Sequence, residues 1–168
     1  MKFKLFLVIA VAVLLMSCMK VKQNCSFTDS AAVADTSEIN YLKNYFVAKN
    51  ITNAIQHPSG AFYIIKSVGT GINPELCNTI AINYTAYQLN YAVAFDSYSG
   101  ADGVPFKLGN LIVGVQKITP LIKSGGSVTM YIPPSLAYKD QVLKDKNNEV
   151  VLSANSYIRF DMTLKSVY

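Results

Sequence analysis

The chain has 168 residues, 51% of them hydrophobic, and a formal net charge of +5 at pH 7. This length suffices for one domain of ordinary size with additional sequence, and it is too short for two full domains. The lysines are scattered along the chain and do not recur on one periodic face, so the basic stripe typical of a duplex-binding protein is missing. We therefore expect no nucleic-acid partner.

The first 17 residues have the pattern of a signal peptide. Lys2 and Lys4 form a basic start, and residues 5–16 form an apolar run shorter than the roughly 20 residues that span a bilayer. The run ends in "LMSC", which resembles a bacterial lipobox. The resemblance implies cleavage before Cys18, lipidation of that cysteine and attachment to a bacterial membrane, with the domain in the cell envelope outside the cytoplasm. An ordinary secretory signal or a short uncleaved anchor is the alternative.

Residues 18–34 are mostly small and polar, and they are predicted to form a flexible tether. Two further cysteines follow, Cys25 in this tether and Cys77 in a loop rich in turn residues. Export makes a disulfide bond between them possible, and two free thiols are an equally open alternative. No CxxC pair occurs, so thioredoxin-type redox chemistry is not expected.

An amphipathic helix is predicted within residues 35–50. Asp35 and Glu38 have the spacing of a capping box, in which two side chains satisfy backbone N–H groups at a helix start. The helix and the linker after it make up residues 35–58. Its apolar face is formed at helical spacing by Ile39, Leu42 and Phe46.

After this linker, the hydrophobic pattern changes to the period of two that is typical of strands. Pro120 distorts a short helix predicted within residues 111–126, and Gly125–Gly126 ends it. This order indicates an α+β domain at residues 59–168, in which an antiparallel β-sheet wraps around one short helix. Strands are predicted at residues 61–69, 79–97 (a strand pair), 127–133 and 155–167.

Four strings in this order resemble the FKBP-type peptidyl-prolyl cis-trans isomerases. "INYTAYQLNYAVAFDS" is similar to the family strand that carries a tyrosine and, further on, Phe-Asp-Ser. "VPFKLGNLIVGV" is similar to its Phe-x-Leu-Gly segment, and "IKSGGSVTMYIPPSLAY" to its strand followed by Ile-Pro and Leu-Ala-Tyr. "NSYIRFDMTL" is similar to its last strand. The helix before residue 59 resembles that of membrane-anchored members.

The resemblance implies a peptide-binding pocket. Ile112 would offer its backbone N–H, and Tyr138 its hydroxyl, to a carbonyl of the bound peptide. The implied catalytic residues are Tyr84, Phe95, Asp96, Tyr138 and Phe160. The implied substrate-binding residues are Val104, Leu111, Ile112 and Val115. No metal ligand and no organic cofactor are implied.

This sequence departs from the family pattern in three places near the pocket. Val115 stands where the family has a tryptophan, Lys139 replaces the glycine after Leu-Ala-Tyr, and the loop at residues 140–151 lacks the usual Ile-Pro-Pro ending. A valine at the pocket floor is expected to widen it and to weaken proline binding. Asp96 is expected to accept a hydrogen bond from Tyr84 or to hold the amides of the following turn, and a plain turn cap is the alternative.

Rotation about an X–Pro bond requires no nucleophile, metal or proton relay, and the chain offers little for other chemistry. His57 is the only histidine and precedes a proline in a turn, where a solvated surface role is expected. The predicted function is therefore peptidyl-prolyl isomerisation of proline-containing segments of exported proteins, by an enzyme anchored to the lipid membrane through Cys18. The alternative is a non-catalytic FKBP-like module that binds peptide segments or a partner protein, as a chaperone or assembly factor.

Overall fold

The structure is a computed structural model that describes residues 25–168. The predicted signal peptide at residues 1–17 and the predicted lipid attachment at Cys18 lie outside the described residues. Helices are α1 (Thr36–Ala48) and α2 (Val113–Ile118). Strands are β1 (Ile55–Gln56), β2 (Phe62–Ser67), β3 (Thr79–Gln88), β4 (Ala94–Tyr98), β5 (Val104–Lys107), β6 (Ser127–Ile132), β7 (Leu143–Lys144), β8 (Val150–Leu152) and β9 (Ile158–Val167). Short 3-10 turns lie at Leu108–Asn110, Thr119–Leu121 and Pro134–Leu136.

One antiparallel sheet contains all the strands of residues 25–168 except the hairpin β7–β8. Its order is β1-β2-β6-β9-β3, and both β4 and β5 then pair with β3 along different halves of that strand. The helix α2 lies against the inner face of this sheet and contributes Val115 and Ile118 to the core. The predicted antiparallel sheet around one short helix is confirmed.

Strict alternation in β9 separates the two faces of the sheet. Ile158, Met162 and Leu164 are at most 3% exposed and belong to the inner core, while Arg159 and Asp161 between them stay partly exposed. A period of two does this because successive side chains of a strand point to opposite faces. The same alternation was readable in the sequence.

Helix α1 covers the outer face of the sheet and forms a second, smaller core there. Leu42 is fully buried, and Phe46 makes edge contacts with the rings of Phe62 and Tyr131 at centroid distances of 5.0 and 4.9 Å. The apolar face predicted for this helix is the face that docks. The predicted capping box is wrong, since neither of its two hydrogen bonds forms. The side chain of Asp35 caps no backbone N–H, and Glu38 binds Ser135 instead.

Residues 25–34 are fastened to the domain, which differs from the flexible tether expected from their composition. The backbone N–H of Ala34 donates to the carbonyl of Ser59 at 2.8 Å, and Ala34 is buried. Cys25 is joined to Cys77 by a disulfide bond with a Cα–Cα distance of 5.5 Å. The sequence left a disulfide bond and two free thiols as alternatives for these cysteines, and the structure contains the disulfide bond. Among the described residues, no helix has the length and apolarity needed to cross a membrane.

Helix α2 is short because Pro120 cannot continue it. The α-helix ends at Ile118 and passes into the 3-10 turn Thr119–Leu121. The backbone N–H and the hydroxyl of Thr119 both donate to the carbonyl of Val115, the hydroxyl at 2.7 Å, and so close the last turn before Pro120. The expected distortion at this proline is confirmed.

Lys139, which occupies the position of the family's glycine, has a left-handed backbone conformation with φ of 56°. Such a conformation costs a non-glycine residue about 1–2 kcal/mol, and glycine loses about 0.5–1 kcal/mol more entropy on folding. We therefore expect Lys139→Gly to raise the free energy of unfolding by about 0.5–1 kcal/mol, measured by urea denaturation. Asp140→Gly, at the next exposed residue, is the control; an equal gain there would contradict this explanation.

Candidate functional site

Eight of the nine residues predicted to form the site lie in or against the inner core, and the ninth, Asp96, contacts Tyr84. Asp96 is exposed and Val115 is buried. The other seven are partly exposed and pack against the same group of buried residues; they are Tyr84, Phe95, Val104, Leu111, Ile112, Tyr138 and Phe160. They come from β3, β4, β5, α2 and its approach, the loop after β6, and β9. Among them, Tyr84 is in direct contact with both Asp96 and Phe160, which come from two other strands.

Three aromatic rings form the sheet side of the site. Pairing of β3 with β9 sets Tyr84 opposite Met162 and Ala86 opposite Phe160, so Tyr84 and Phe160 share one face. Their rings stack with centroids 5.2 Å apart and an interplanar angle of 10°. Phe106 meets Tyr84 edge-on at 6.1 Å. This residue was missed from the sequence, although the alternation of Val104 and Phe106 along a strand beside a predicted site residue was a usable signal.

Asp96 accepts a hydrogen bond from the hydroxyl of Tyr84, with 2.8 Å between Oη and Oδ2. The pairing of β3 with β4 sets Asp96 opposite Ala86, two residues along from Tyr84 on the same face. The turn after β4 is held by Asn83, which exchanges side-chain hydrogen bonds with the backbone N–H and carbonyl of Gly100. Among the described residues, no turn amide donates to Asp96, so this carboxylate contacts Tyr84 and does not hold the turn.

Both tyrosine hydroxyls of the site are held in their neutral form. Burial raises the pKa of Tyr84, and the hydrogen bond to Asp96 raises it further. Burial also raises the pKa of Tyr138, with an added contribution from the negative charge of Asp96. Since a neutral tyrosine has a pKa near 10 before these effects, both hydroxyls remain hydrogen-bond donors throughout the neutral and mildly alkaline range.

The approach to α2 presents a backbone donor beside these rings. The side chain of Gln116 donates to the carbonyls of Gly109 at 3.0 Å and Leu111 at 2.6 Å, which fixes the chain just before the helix. The carbonyl of Ile112 accepts from the N–H groups of Val115 and Gln116. Within residues 25–168, the N–H of Ile112 has no acceptor.

Val115 lies below the rings and is 1% exposed. Val115 is therefore part of the packed core, and the wider floor expected from a valine in place of tryptophan stays a prediction. A ligand that touches Val115 has to move at least one of its neighbours. The site accordingly offers its polar groups and rings at the surface, with the valine as part of the core.

A surface cleft of about 450 Å³ continues from the site along the β3–β4 connection. Phe95 lines both the site and this cleft. Across the cleft, the hairpin β7–β8 supplies Val150, and Tyr91 and Val93 are 62% and 81% exposed. Residues 140–151, expected as a loop, contain most of this hairpin. An extended chain leaving the site on this side meets a surface of mixed polar and apolar character.

No group of histidine, cysteine or acidic side chains in residues 25–168 has the arrangement of a metal site. His57 is partly buried, and its Nδ1 lies 2.9 Å from the hydroxyl of Ser59 and accepts from the Ser59 N–H at 3.1 Å. Burial lowers its pKa, and the charge of Lys117 lowers it further. His57 therefore holds a turn through neutral contacts, which differs from the solvated role expected.

Comparison with known proteins identifies the family. Residues 71–165, more than half of the chain, match the family model described as FKBP-type peptidyl-prolyl cis-trans isomerase. A probable FKBP-type isomerase, FkpA of Neisseria meningitidis, is 30% identical over 109 residues, which cover 65% of this chain and 38% of that protein. The isomerase Mip of Coxiella burnetii is 29% identical over 125 residues, covering 74% of this chain and 50% of that protein.

Solved structures agree on the fold. The crystal structure of FkpA from Escherichia coli has a TM-score of 0.63 at 24% identity and covers 78% of this chain and 59% of its own. A peptidyl-prolyl isomerase from Pseudomonas syringae has a TM-score of 0.64 at 15% identity, and the match covers 82% of this chain and 98% of that one.

The chain belongs to the FKBP-type peptidyl-prolyl cis-trans isomerase family, and the resemblance seen in its sequence is confirmed. It spans only 38–50% of the length of the first curated relatives that it matches.

Proposed function

We propose that this protein catalyses cis-trans isomerisation of X–Pro bonds at the site built around Tyr84. The observation that carries this proposal is the assembly of stacked rings, a partnered carboxylate and two hydrogen-bond donors at one edge of the core. The family supports the reaction class. The residues support it independently, because they form a partly dry, aromatic surface with polar groups only at defined points.

The chemistry needs differential binding alone. The barrier to rotation about a peptide bond is about 18–20 kcal/mol, and the planar amide is more dipolar than the twisted one. An apolar surface formed by Tyr84, Phe106 and Phe160 therefore favours the twisted state relative to the planar state. The N–H of Ile112 and the hydroxyl of Tyr138 would hold the peptide carbonyls, while Asp96 orients the ring of Tyr84. Phe95, Val104 and Leu111 would enclose the proline ring.

The proposed substrates are proline-containing segments of exported proteins during folding. The Cys25–Cys77 disulfide supports a location outside the cytoplasm, since such bonds form and persist in oxidising compartments. The signal pattern of residues 1–17 and Cys18 supports attachment to a membrane. Intact-mass spectrometry of the mature chain tests the attachment: we expect a lipid-modified cysteine at the N-terminus, and an unmodified N-terminus contradicts it.

A non-catalytic peptide-binding or chaperone role is the second candidate, and Val115 favours it. The family's tryptophan is absent and the valine is closed over by its neighbours at 1% exposure. A site that lacks the tryptophan can bind an extended segment on its surface and still fail to accelerate rotation. Both roles predict that the protein binds a proline peptide, and only the enzyme role predicts that it accelerates isomerisation.

The test is an isomerisation assay on a proline tetrapeptide with a chain that begins at Cys25 and keeps the disulfide. We expect a first-order rate that rises linearly with protein concentration above the uncatalysed rate. A chain that binds the peptide without changing this rate would establish the binding module and reject the enzyme. A chain that neither binds the peptide nor changes the rate would reject both.

A further inference from the structure

Glu38 joins the outer helix α1 to the loop that carries Tyr138. Its carboxylate accepts hydrogen bonds from the backbone N–H of Ser135 at 3.1 Å and from the Ser135 hydroxyl at 2.5 Å. The two residues are 97 positions apart in sequence. Hydrogen bonds to an ionised carboxylate are about twice as strong as neutral ones, so this contact is more than incidental packing.

The contact satisfies a backbone group that its own turn leaves open. Ser135 lies in the 3-10 turn Pro134–Leu136, whose first residue is a proline without an N–H. The N–H of Leu136 donates to the carbonyl of Pro133, and in the described chain Ser135 has no backbone acceptor. The first N–H groups of any helical turn need an outside partner. Glu38 supplies that partner from a different element and acts as an N-cap for this turn.

The 3-10 turn also fixes the backbone on both sides of Tyr138. The carbonyl of Pro134 accepts from the N–H of Ala137 and from the N–H of Lys139, each at 3.0 Å. A shift of the turn therefore moves the peptide units that flank Tyr138. Glu38 is thus linked to Tyr138 through Ser135 and through the carbonyl of Pro134, which accepts from both residues that flank Tyr138.

We propose that Glu38 is a positioning residue that sets the Tyr138 loop for the reaction. The helix α1 would then contribute to the site as well as to stability, although it lies on the opposite face of the sheet. The claim that Glu38 affects catalysis rests on the proposed function. The claim that Glu38 orders the loop rests on the contacts alone. Glu38 itself touches neither the rings nor the groups that would hold the peptide.

The helix should remain docked without this carboxylate. Leu42 and Phe46 anchor α1 in the outer core at 0% and 6% exposure, and neither depends on Glu38. Glu38→Ala should therefore fold, and its effect can be separated from loss of the helix. Asn40→Ala, at an exposed position of the same helix, is the matched control.

Isomerase measurements test the catalytic part. We expect Glu38→Ala to lower kcat/KM for a proline tetrapeptide about tenfold, since hydrogen bonds to charged groups are lost, and Asn40→Ala to leave it unchanged. Glu38→Gln keeps an acceptor for the Ser135 N–H and should recover most of the activity. In a Tyr138→Phe background, Glu38→Ala should have little further effect, because residues that act through one another are not additive. Effects that multiply would overturn the proposal.

Amide hydrogen exchange of residues 133–140 tests the ordering of the loop without reference to activity. We expect faster exchange in Glu38→Ala than in the wild type and in Asn40→Ala, with the change confined to this segment. Exchange that stays the same in all three chains would overturn the proposal. If the wild type has no isomerase activity, the proposed function fails, and the exchange result alone decides whether Glu38 orders the loop.

Discussion

Asp96→Ala is expected to lower kcat/KM for a proline tetrapeptide about 100-fold, near the lower end of what the loss of one preorganised polar group costs. The carboxylate holds the hydroxyl of Tyr84 at 2.8 Å and so fixes the ring that stacks on Phe160. Without it, the ring loses its orientation and the polar edge of the site loses its charge. The measurement is the isomerisation rate at several protein concentrations.

The same change should have little effect on stability. Asp96 is exposed, and its single side-chain hydrogen bond corresponds to a loss of about 1 kcal/mol in the free energy of unfolding. Asp102→Ala, at another exposed carboxylate in the following turn, is the control for charge and should keep full activity. An Asp96→Ala chain that stays folded and fully active would contradict the role given to this carboxylate.

Removal of the Cys25–Cys77 bond is expected to lower the free energy of unfolding by about 2–4 kcal/mol, the typical range for a disulfide. The bond closes a loop with a sequence separation of 52, so its loss releases considerable entropy in the unfolded chain. It also frees the segment whose Phe27 ring lies against Gly109. Urea denaturation of the Cys25→Ser, Cys77→Ser double variant measures the change.

Reductant provides the internal control for this prediction. The wild type should lose the same stability when dithiothreitol is added, while the double serine variant should be insensitive to it. A wild-type chain whose unfolding midpoint does not respond to reductant, or a double variant of undiminished stability, would show that the bond contributes nothing. The first of these outcomes would also weaken the support for export.

Most of the fold was predictable because it rests on local periodicity. The alternation of residues 155–167, the helical spacing of Leu42 and Phe46, and the break at Pro120 each leave a pattern within a few neighbouring residues. The approximate positions of Tyr84 and Asp96 in the site came from the resemblance to a family. A hydrogen bond from Tyr84 was one of the roles expected for Asp96, and the structure contains it.

The remaining features depend on contacts that no local pattern encodes. Glu38 has the right spacing for a capping box, yet the open N–H of Ser135, brought close by tertiary packing, takes its carboxylate. Cys25 lies in a polar segment that composition predicts to be free, and only the fold places it near Cys77. The burial of Val115 depends on how several neighbours pack, which residue size alone does not determine.

The most direct test of the central claim is NMR of a proline peptide in the presence of the protein. Intermolecular nuclear Overhauser effects should connect the pyrrolidine protons to the rings of Tyr84 and Phe160, together with exchange between cis and trans peptide signals faster than without protein. Contacts of the pyrrolidine only with a different face, such as the cleft between Tyr45 and Tyr87, would contradict the account.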